Sequence, residues 1–212
     1  MRGITFSALA LLGTFASANT FNVNFDTDSS GGAISDLTTI SNQYAGWGFN
    51  FTPNYYTTDT WATNTDMTAT STDVGIGYDA TQGNVLHSFD GWLNEDNDPS
   101  FAMVMSNSDP VTAITASFIG DTSGVSFMEA FHFDGTGYVS LGSQLVDGSG
   151  SAVKTISLGG FSQSIDLVAF APGSFNDWAA VDDIVVTTTP VPEPASMLAL
   201  GLGAVALIGR RK

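Results

Sequence analysis

The sequence predicts an all-β body, an antiparallel sandwich of jelly-roll-like form, flanked by an N-terminal signal helix and a short C-terminal transmembrane helix. Three observations lead to the body. Short runs rich in Val, Ile, Phe, Tyr and Thr recur every eight to fourteen residues between marks of Gly, Asn, Asp, Ser or Pro. Apolar and polar residues alternate within several runs, the two-residue rhythm of a strand with one wet face. No stretch between 19 and 189 holds a helical apolar period over three turns.

The first segment, residues 1–18, carries Arg2, then the apolar run "ITFSALALLGTFA", then "ASA" at Ala16–Ala18. Basic, apolar and small-residue regions in that order form a secretory signal peptide, with signal peptidase cutting before Asn19. Residues 19–189 then make one domain, long enough for a sandwich with a continuous core. The chain has no cysteine, so neither disulfides nor thiolate metal sites contribute.

Ten strands are expected, in order: "TFNVNFD", "AGWGFNF", "NVLHSF", "SFAMVMS", "VTAITASFI", "VSFMEAFHFD", "GYVSLGSQLV", "AVKTISL", "SIDLVAFA" and "WAAVDDIVV". In Val111–Ile119 the alternation sets Val111, Ala113 and Thr115 on one face and Thr112, Ile114 and Ala116 on the other. Phe127, Glu129, Phe131 and Phe133 keep the same rhythm. "DGTG" and "DGSGS" read as hairpin turns. The polar, Thr-heavy stretch Thr57–Asp73 is a surface loop or an edge hairpin; loop is the preferred reading, because its Asp and Asn residues interrupt the strand preference of Thr.

Charge is unevenly distributed. The whole chain has 21 acidic residues and 5 Lys or Arg, a formal net charge of -16. Arg2 lies in the signal and Arg210, Arg211 and Lys212 lie at the end, so the body keeps only Lys154 as a cation. Such a surface repels nucleic acid and anionic headgroups. It suits life outside the cell, divalent cations and neutral glycans.

At the C-terminus, the prolines of "TTTPVPEP" enforce an extended linker. Ala195–Gly209 comes next, uncharged and mostly apolar. As a helix it would reach about 22 Å at about 1.5 Å per residue, short of the roughly 30 Å hydrocarbon core. Arg210, Arg211 and Lys212 would snorkel and hold that end cytoplasmic, leaving the body outside. The signal peptide demands the same topology.

"VPEPAS", an apolar helix and "GRRK" at the very end resemble a PEP-CTERM sorting signal, a tail also labelled an ice-binding protein C-terminal domain. The resemblance covers residues 190–212 and implies recognition by a membrane-embedded exosortase through Pro192, Glu193 and Pro194. It further implies removal of the tail, then release or attachment at the cell surface. It carries nothing about the body, since this tail occurs on many unrelated domains.

Within the body, catalytic signatures are missing. His87 and His132 each lie in an apolar, strand-like run, and there is no Gly-x-Ser-x-Gly elbow. Calcium is the better expectation, because hard cations take several carboxylate, carbonyl and amide oxygens. "FDTDSSGG" places Asp26 and Asp28 before a Gly turn, "NEDNDPS" holds Glu95, Asp96 and Asp98, and Asp182–Asp183 interrupt the last apolar strand. A carboxylate in an apolar strand needs a partner or an ion.

"FD" in the first strand and "WAAVDDIVV" in the last resemble the terminal strands of jelly-roll carbohydrate-binding and lectin-like domains. That resemblance implies adjacent terminal strands and a structural calcium held by Asp26 with Asp182 or Asp183. Among the aromatics, Tyr55, Tyr56 and Trp61 lie in the most polar surroundings and are the expected sugar-stacking residues. Trp47 and Trp178 read as core residues.

The leading expectation is therefore an exported, exosortase-sorted, non-enzymatic sandwich with a structural or glycan-adhesive role at the cell surface or in the extracellular matrix. Its partners are signal peptidase, exosortase, the membrane before processing, and extracellular polysaccharide. One competing expectation is a polysaccharide hydrolase, which needs two facing carboxylates roughly 5 to 9.5 Å apart in a groove. A weaker one, ice binding, needs a flat, regular Thr-x-Thr face. The Thr spacing of "TATST" is too irregular for that.

Overall fold

The computed structural model describes residues 17–53, 68–70, 83–87, 100–121, 125–147, 153–171 and 178–189. The expected signal helix lies almost wholly outside these residues, and the tail with its transmembrane helix lies entirely outside them. Among the described residues no helix is long and apolar enough to cross a membrane.

The strands run in chain order as β1 (Asn19–Val23), β2 (Thr38–Thr39), β3 (Phe49–Pro53), β4 (Thr68–Thr70), β5 (Val85–His87) and β6 (Phe101–Met105). They continue as β7 (Val111–Asp121), β8 (Val125–Phe133), β9 (Tyr138–Asp147), β10 (Lys154–Gly159), β11 (Leu167–Ala171) and β12 (Trp178–Thr188). One sheet has the order β10-β7-β12-β5-β4-β2, with β1 also paired to β12, and the other the order β3-β6-β11-β8-β9. The strand pairings among the described residues are antiparallel. The chain repeatedly crosses between the two sheets, so the expected jelly-roll-like sandwich is what forms.

Between the sheets lies one continuous apolar layer. Ile114, Ala116 and Phe118 of β7 and Val181, Ile184 and Val186 of β12 face Phe101, Met103, Met128, Val168 and Phe170 of the second sheet. The Phe101 and Phe170 rings stack with centroids 4.9 Å apart and planes 14° from parallel. Burying a side chain of this size stabilises the fold by about 2 to 3 kcal/mol. In β8 the buried set is Ser126, Met128 and Ala130, while Phe127, Glu129 and Phe131 keep partial exposure on the outer face.

Besides "DGSGS", which joins strands β9 and β10 of different sheets and so is no hairpin turn, four local readings need correction. Ala45–Trp47 is a 3-10 turn, closed by Gly48 at φ 84 with its N–H on the Ala45 carbonyl, so strand begins only at Phe49. A positive φ suits glycine, and the chain reverses there instead of extending. Thr68–Thr70, inside the stretch expected as loop, is a strand paired to both β2 and β5. Three residues supply too short a pattern to be seen beside Asp and Asn.

The third correction is at Val111, which shares the inner core with Ile114 instead of opposing it. Against β12, Val111 pairs with Thr188 while Ala113 pairs with Thr187, a register shift that inserts one residue and switches the face of the residues beyond it. Last, β1 ends at Val23, so Asp26 lies in the turn after it and not in the first strand.

Candidate functional site

Because β7 runs along one edge of β12 from Trp178 to Thr188, all other partners must use the opposite edge. Two strands share it end to end. Strand β1 takes Ile184–Thr188 and β5 takes Val181. Asp182 and Asp183 fall in the gap where one partner stops and the next begins.

The gap coincides with a bulge. Asp182 pairs with Ser117 and Val185 with Thr115, so Asp183 and Ile184 together oppose the single residue Ala116. Asp183 takes φ 48, left-handed backbone that an Asp tolerates better than a branched residue. This kink turns Ile184 into the core and leaves Asp183 exposed. Asp182 stays buried at 3% exposure, on the strand face of Ala180 and not of Val181.

Opposite this gap, the chain leaving β1 folds into a compact turn. Asn24 Oδ1 accepts the backbone N–H groups of Asp26 (3.2 Å) and Thr27 (3.3 Å). Asp28 Oδ1 accepts the Ser30 hydroxyl (2.7 Å) and the backbone N–H groups of Gly32 (2.9 Å) and Ser30 (2.8 Å), and those bonds hold its carboxyl below the usual range. Phe25, at φ 57, donates its N–H to the Tyr44 hydroxyl at 2.9 Å. Burial pushes that hydroxyl's pKa above the ordinary tyrosine value.

Asn84, immediately before β5, fastens the turn to the sheet. Its backbone N–H donates to Asp26 Oδ1 at 2.7 Å, and its buried side-chain amide donates to the carbonyls of Phe25 (3.0 Å) and Ile34 (2.9 Å). Gly83 sits at φ 88 directly against the Asp26 carboxylate, where any Cβ would collide with it.

Asp182 is the electrostatic anomaly of the site. Among the described residues its buried Oδ1 has no hydrogen-bond partner. Burial raises its pKa from 3.8 to about 8; the Asp183 backbone N–H pulls the other way, and the charges of Asp183 and Asp26 add to the rise. An oxygen acceptor of this kind asks for a proton or a cation.

The three acids Asp26, Asp182 and Asp183 do not form a three-carboxylate cluster. Among the described residues no set of three or more His, Asp or Glu side chains could hold a metal ion. The bulge sends Asp183 to solvent, which leaves Asp182 buried and Asp26 half-buried at the junction. Sequence reading found all three residues but not the bulge that separates them. It missed Asn84, which a lone Asn before a strand does not announce.

His132 lies in a second polar group with Ser164 and Asp166. Asp166 Oδ2 is 2.6 Å from His132 Nδ1 and also accepts the Phe133 N–H at 2.8 Å. Ser164 Oγ donates to Asp166 Oδ1 at 2.9 Å, and the same His132 Nδ1 is 3.5 Å away. Serine and carboxylate therefore address one ring nitrogen, whereas a Ser–His–Asp relay needs them on opposite nitrogens. The group ties β8 to the approach to β11, a structural task.

Tyr55, Tyr56 and Trp61 lie outside the described residues, as do Pro192, Glu193, Pro194, Arg210, Arg211 and Lys212. Trp47 is half-buried and packs on the core through Phe21 and Tyr44, each with ring centroids 5.7 Å away.

Comparison with curated proteins gives no match. Among solved structures, a family 29 carbohydrate-binding module from Piromyces equi is similar at 15% identity, covering 81% of this chain and 91% of that one, with a TM-score of 0.43. A family 61 module, solved in complex with β-1,4-galactotriose, is similar at 13% identity over 73% of this chain and 99% of that one, with a TM-score of 0.40. Residues 190–212 match the PEP-CTERM protein-sorting motif. In its described residues the chain is an all-β sandwich, and residues 190–212 carry the sorting motif of an exported protein.

Proposed function

We propose that this protein is a non-enzymatic, glycan-adhesive sandwich delivered to the cell surface or extracellular matrix by exosortase processing. The observation that carries the reading is the sorting motif at residues 190–212, which begins just beyond the last strand at Thr188. Pro192, Glu193 and Pro194 are the recognition residues in this reading, and Arg210, Arg211 and Lys212 hold the cytoplasmic end until the tail is cut. The acidic, cysteine-free body suits a hydrated polysaccharide environment and repels nucleic acid.

Calcium belongs to the same proposal as a structural ion at the junction of β1, β5 and β12. Asp182 and Asp26 are the residues that would hold it, and the unpartnered buried oxygen of Asp182 fits a hard cation. Bound there, the ion would neutralise two carboxylates and join the two strands that share one edge. With two acids at hand, backbone carbonyls would have to complete its oxygen set.

Two measurements test the reading. Intact-mass analysis of protein recovered from a host with an active exosortase should show a C-terminus upstream of the apolar segment; a terminus still at Lys212 overturns processing. A glycan array probed with the exported protein, with and without calcium, should show binding to neutral polysaccharide. An array blank under both conditions overturns the adhesive role.

A further inference from the structure

Beside the end of β1, a depression of about 380 Å³ opens at the surface, at the low end of the roughly 300–1,000 Å³ typical of small-ligand sites. Phe21, Trp47 and Gly48 line one side, and Ser106, Asn107 and Asp109 of the β6–β7 loop line the other. A smaller depression of about 230 Å³ adjoins it, shares Asn107, Ser108 and Asp109, and reaches Asp166. Among the described residues no cationic side chain lines either hollow.

The walls are held in place from behind. The half-buried Trp47 ring packs against Phe21 and Tyr44, tilted 41° and 38° to them. Gly48, at φ 84, lets the loop descend onto its backbone; a Cβ there would stand 2.6 Å from the Asn107 nitrogen. Ser106 then donates both its N–H (2.7 Å) and its hydroxyl (3.1 Å) to the Gly48 carbonyl, and Asn107 Nδ2 donates to the Asp109 carbonyl at 2.8 Å. A site organised before its ligand arrives loses less entropy on binding.

We propose that these two hollows are a binding site for a neutral oligosaccharide, with one sugar ring against Trp47 and the next across Asn107–Asp109. This rests on the glycan-adhesive reading and gives it an address. An indole offers an apolar face to the C–H side of a sugar ring, while the Asp109 carboxylate and the Asn107 and Ser106 side chains meet hydroxyls. The carboxylates of Asp109 and Asp166 repel anionic ligands such as phosphates or uronates. A single indole is also no cage for a quaternary ammonium ion, the other ligand an aromatic and a carboxylate could attract.

The test titrates the exported protein with neutral gluco-, galacto-, manno- and xylo-oligosaccharides and with tetramethylammonium, using calorimetry and tryptophan fluorescence. Ser108, exposed at the meeting of the two hollows, is replaced in Ser108→Trp to fill the site without entering the core. Asp109→Ala removes the hydroxyl acceptor, and melting curves check that both variants keep the fold. The expected result is binding of at least one oligosaccharide that weakens about tenfold or more in each variant. Sugar binding undiminished in both folded variants overturns this address while leaving the adhesive reading intact. Sugar binding absent from the parent protein overturns both, and ammonium binding lost in Ser108→Trp then assigns the hollow to a cation.

Discussion

Asn84 donates its backbone N–H to Asp26 Oδ1 at 2.7 Å, joining residues 58 apart in the chain. The bond matters because of where it lies. It ties the turn after β1 to the start of β5 at the point where those strands exchange places along β12. Strand pairing is interrupted there, so side chains take over the task of holding the sheet together.

Asp182 should make stability fall with rising pH when no cation is present. Its pKa is about 8 in the folded chain against 3.8 for a free carboxyl, so the folded state holds a proton that the unfolded state has lost. Between those values stability declines by about 1.4 kcal/mol per pH unit from this group. Melting curves from pH 4 to 8 in a chelator should show the decline in the parent protein and a flatter profile in Asp182→Asn. Equal slopes for the two would refute the assignment.

Calcium should reverse that trend if it occupies the junction. Binding requires the carboxylate form, so at pH 7 each ion bound should release close to one proton. Calorimetry in two buffers of different ionisation enthalpy reads this directly. Asp182→Asn should lose both the proton release and the calcium-dependent rise in melting temperature.

Gly83→Ala should destabilise by more than the usual cost of removing a glycine. The φ of 88 alone penalises any side chain, and the new Cβ would run into the Asp26 carboxylate. We expect a loss of about 2 kcal/mol or more by denaturant unfolding. Adding Asp26→Ala should recover part of it, since the collision is then gone; no recovery would mean that backbone strain is the whole effect.

Asn84→Ala should cost about 2 to 3 kcal/mol, because it leaves the buried carbonyls of Phe25 and Ile34 without a donor. Tyr44→Phe should cost about 1 to 2 kcal/mol, orphaning only the Phe25 N–H. Unfolding curves that rank the two in the opposite order would count against this reading of the junction.

Phe101→Ala should cost about 3 to 5 kcal/mol by opening a cavity against Phe170 in the middle of the sandwich. A loss below about 1 kcal/mol would mean that the two sheets close over the gap.

All ten runs expected as strands contain one, because short apolar, β-branched and aromatic runs between turn residues report on burial in a sheet. What failed was of a different kind. Thr68–Thr70 was hidden because its pairing with β2 and β5 is long-range and its own sequence too short to speak. Trp47 lies in a run that reads as strand because "GWGF" carries strand-forming rings, yet Gly48 turns the chain there. Alternation alone sets Val111 opposite Ile114, whereas a register shift that only the partner strand records turns it into the core.

Of the candidate sites, the acids were legible and their arrangement was not. Asp182 stood out as a carboxylate amid apolar residues, a local fact. Its missing hydrogen bond, its separation from Asp183, and the approach of Asp26 through Asn84 all depend on contacts across the sheet. The depression at Trp47 was likewise invisible, since its two walls are brought together only when Ser106 reaches Gly48.

By itself, the sequence determined the sorting address and the class: a PEP-CTERM motif at residues 190–212 and an acidic all-β body before it. These come from composition, order and short-range periodicity, which act on neighbours along the chain. Tertiary structure alone decided that β1 and β5 share one edge of β12, that a bulge buries one aspartate and exposes the next, and that an aromatic ring and a polar loop frame a hollow. Strand pairing is non-local, and a single inserted residue reverses which face every later side chain takes.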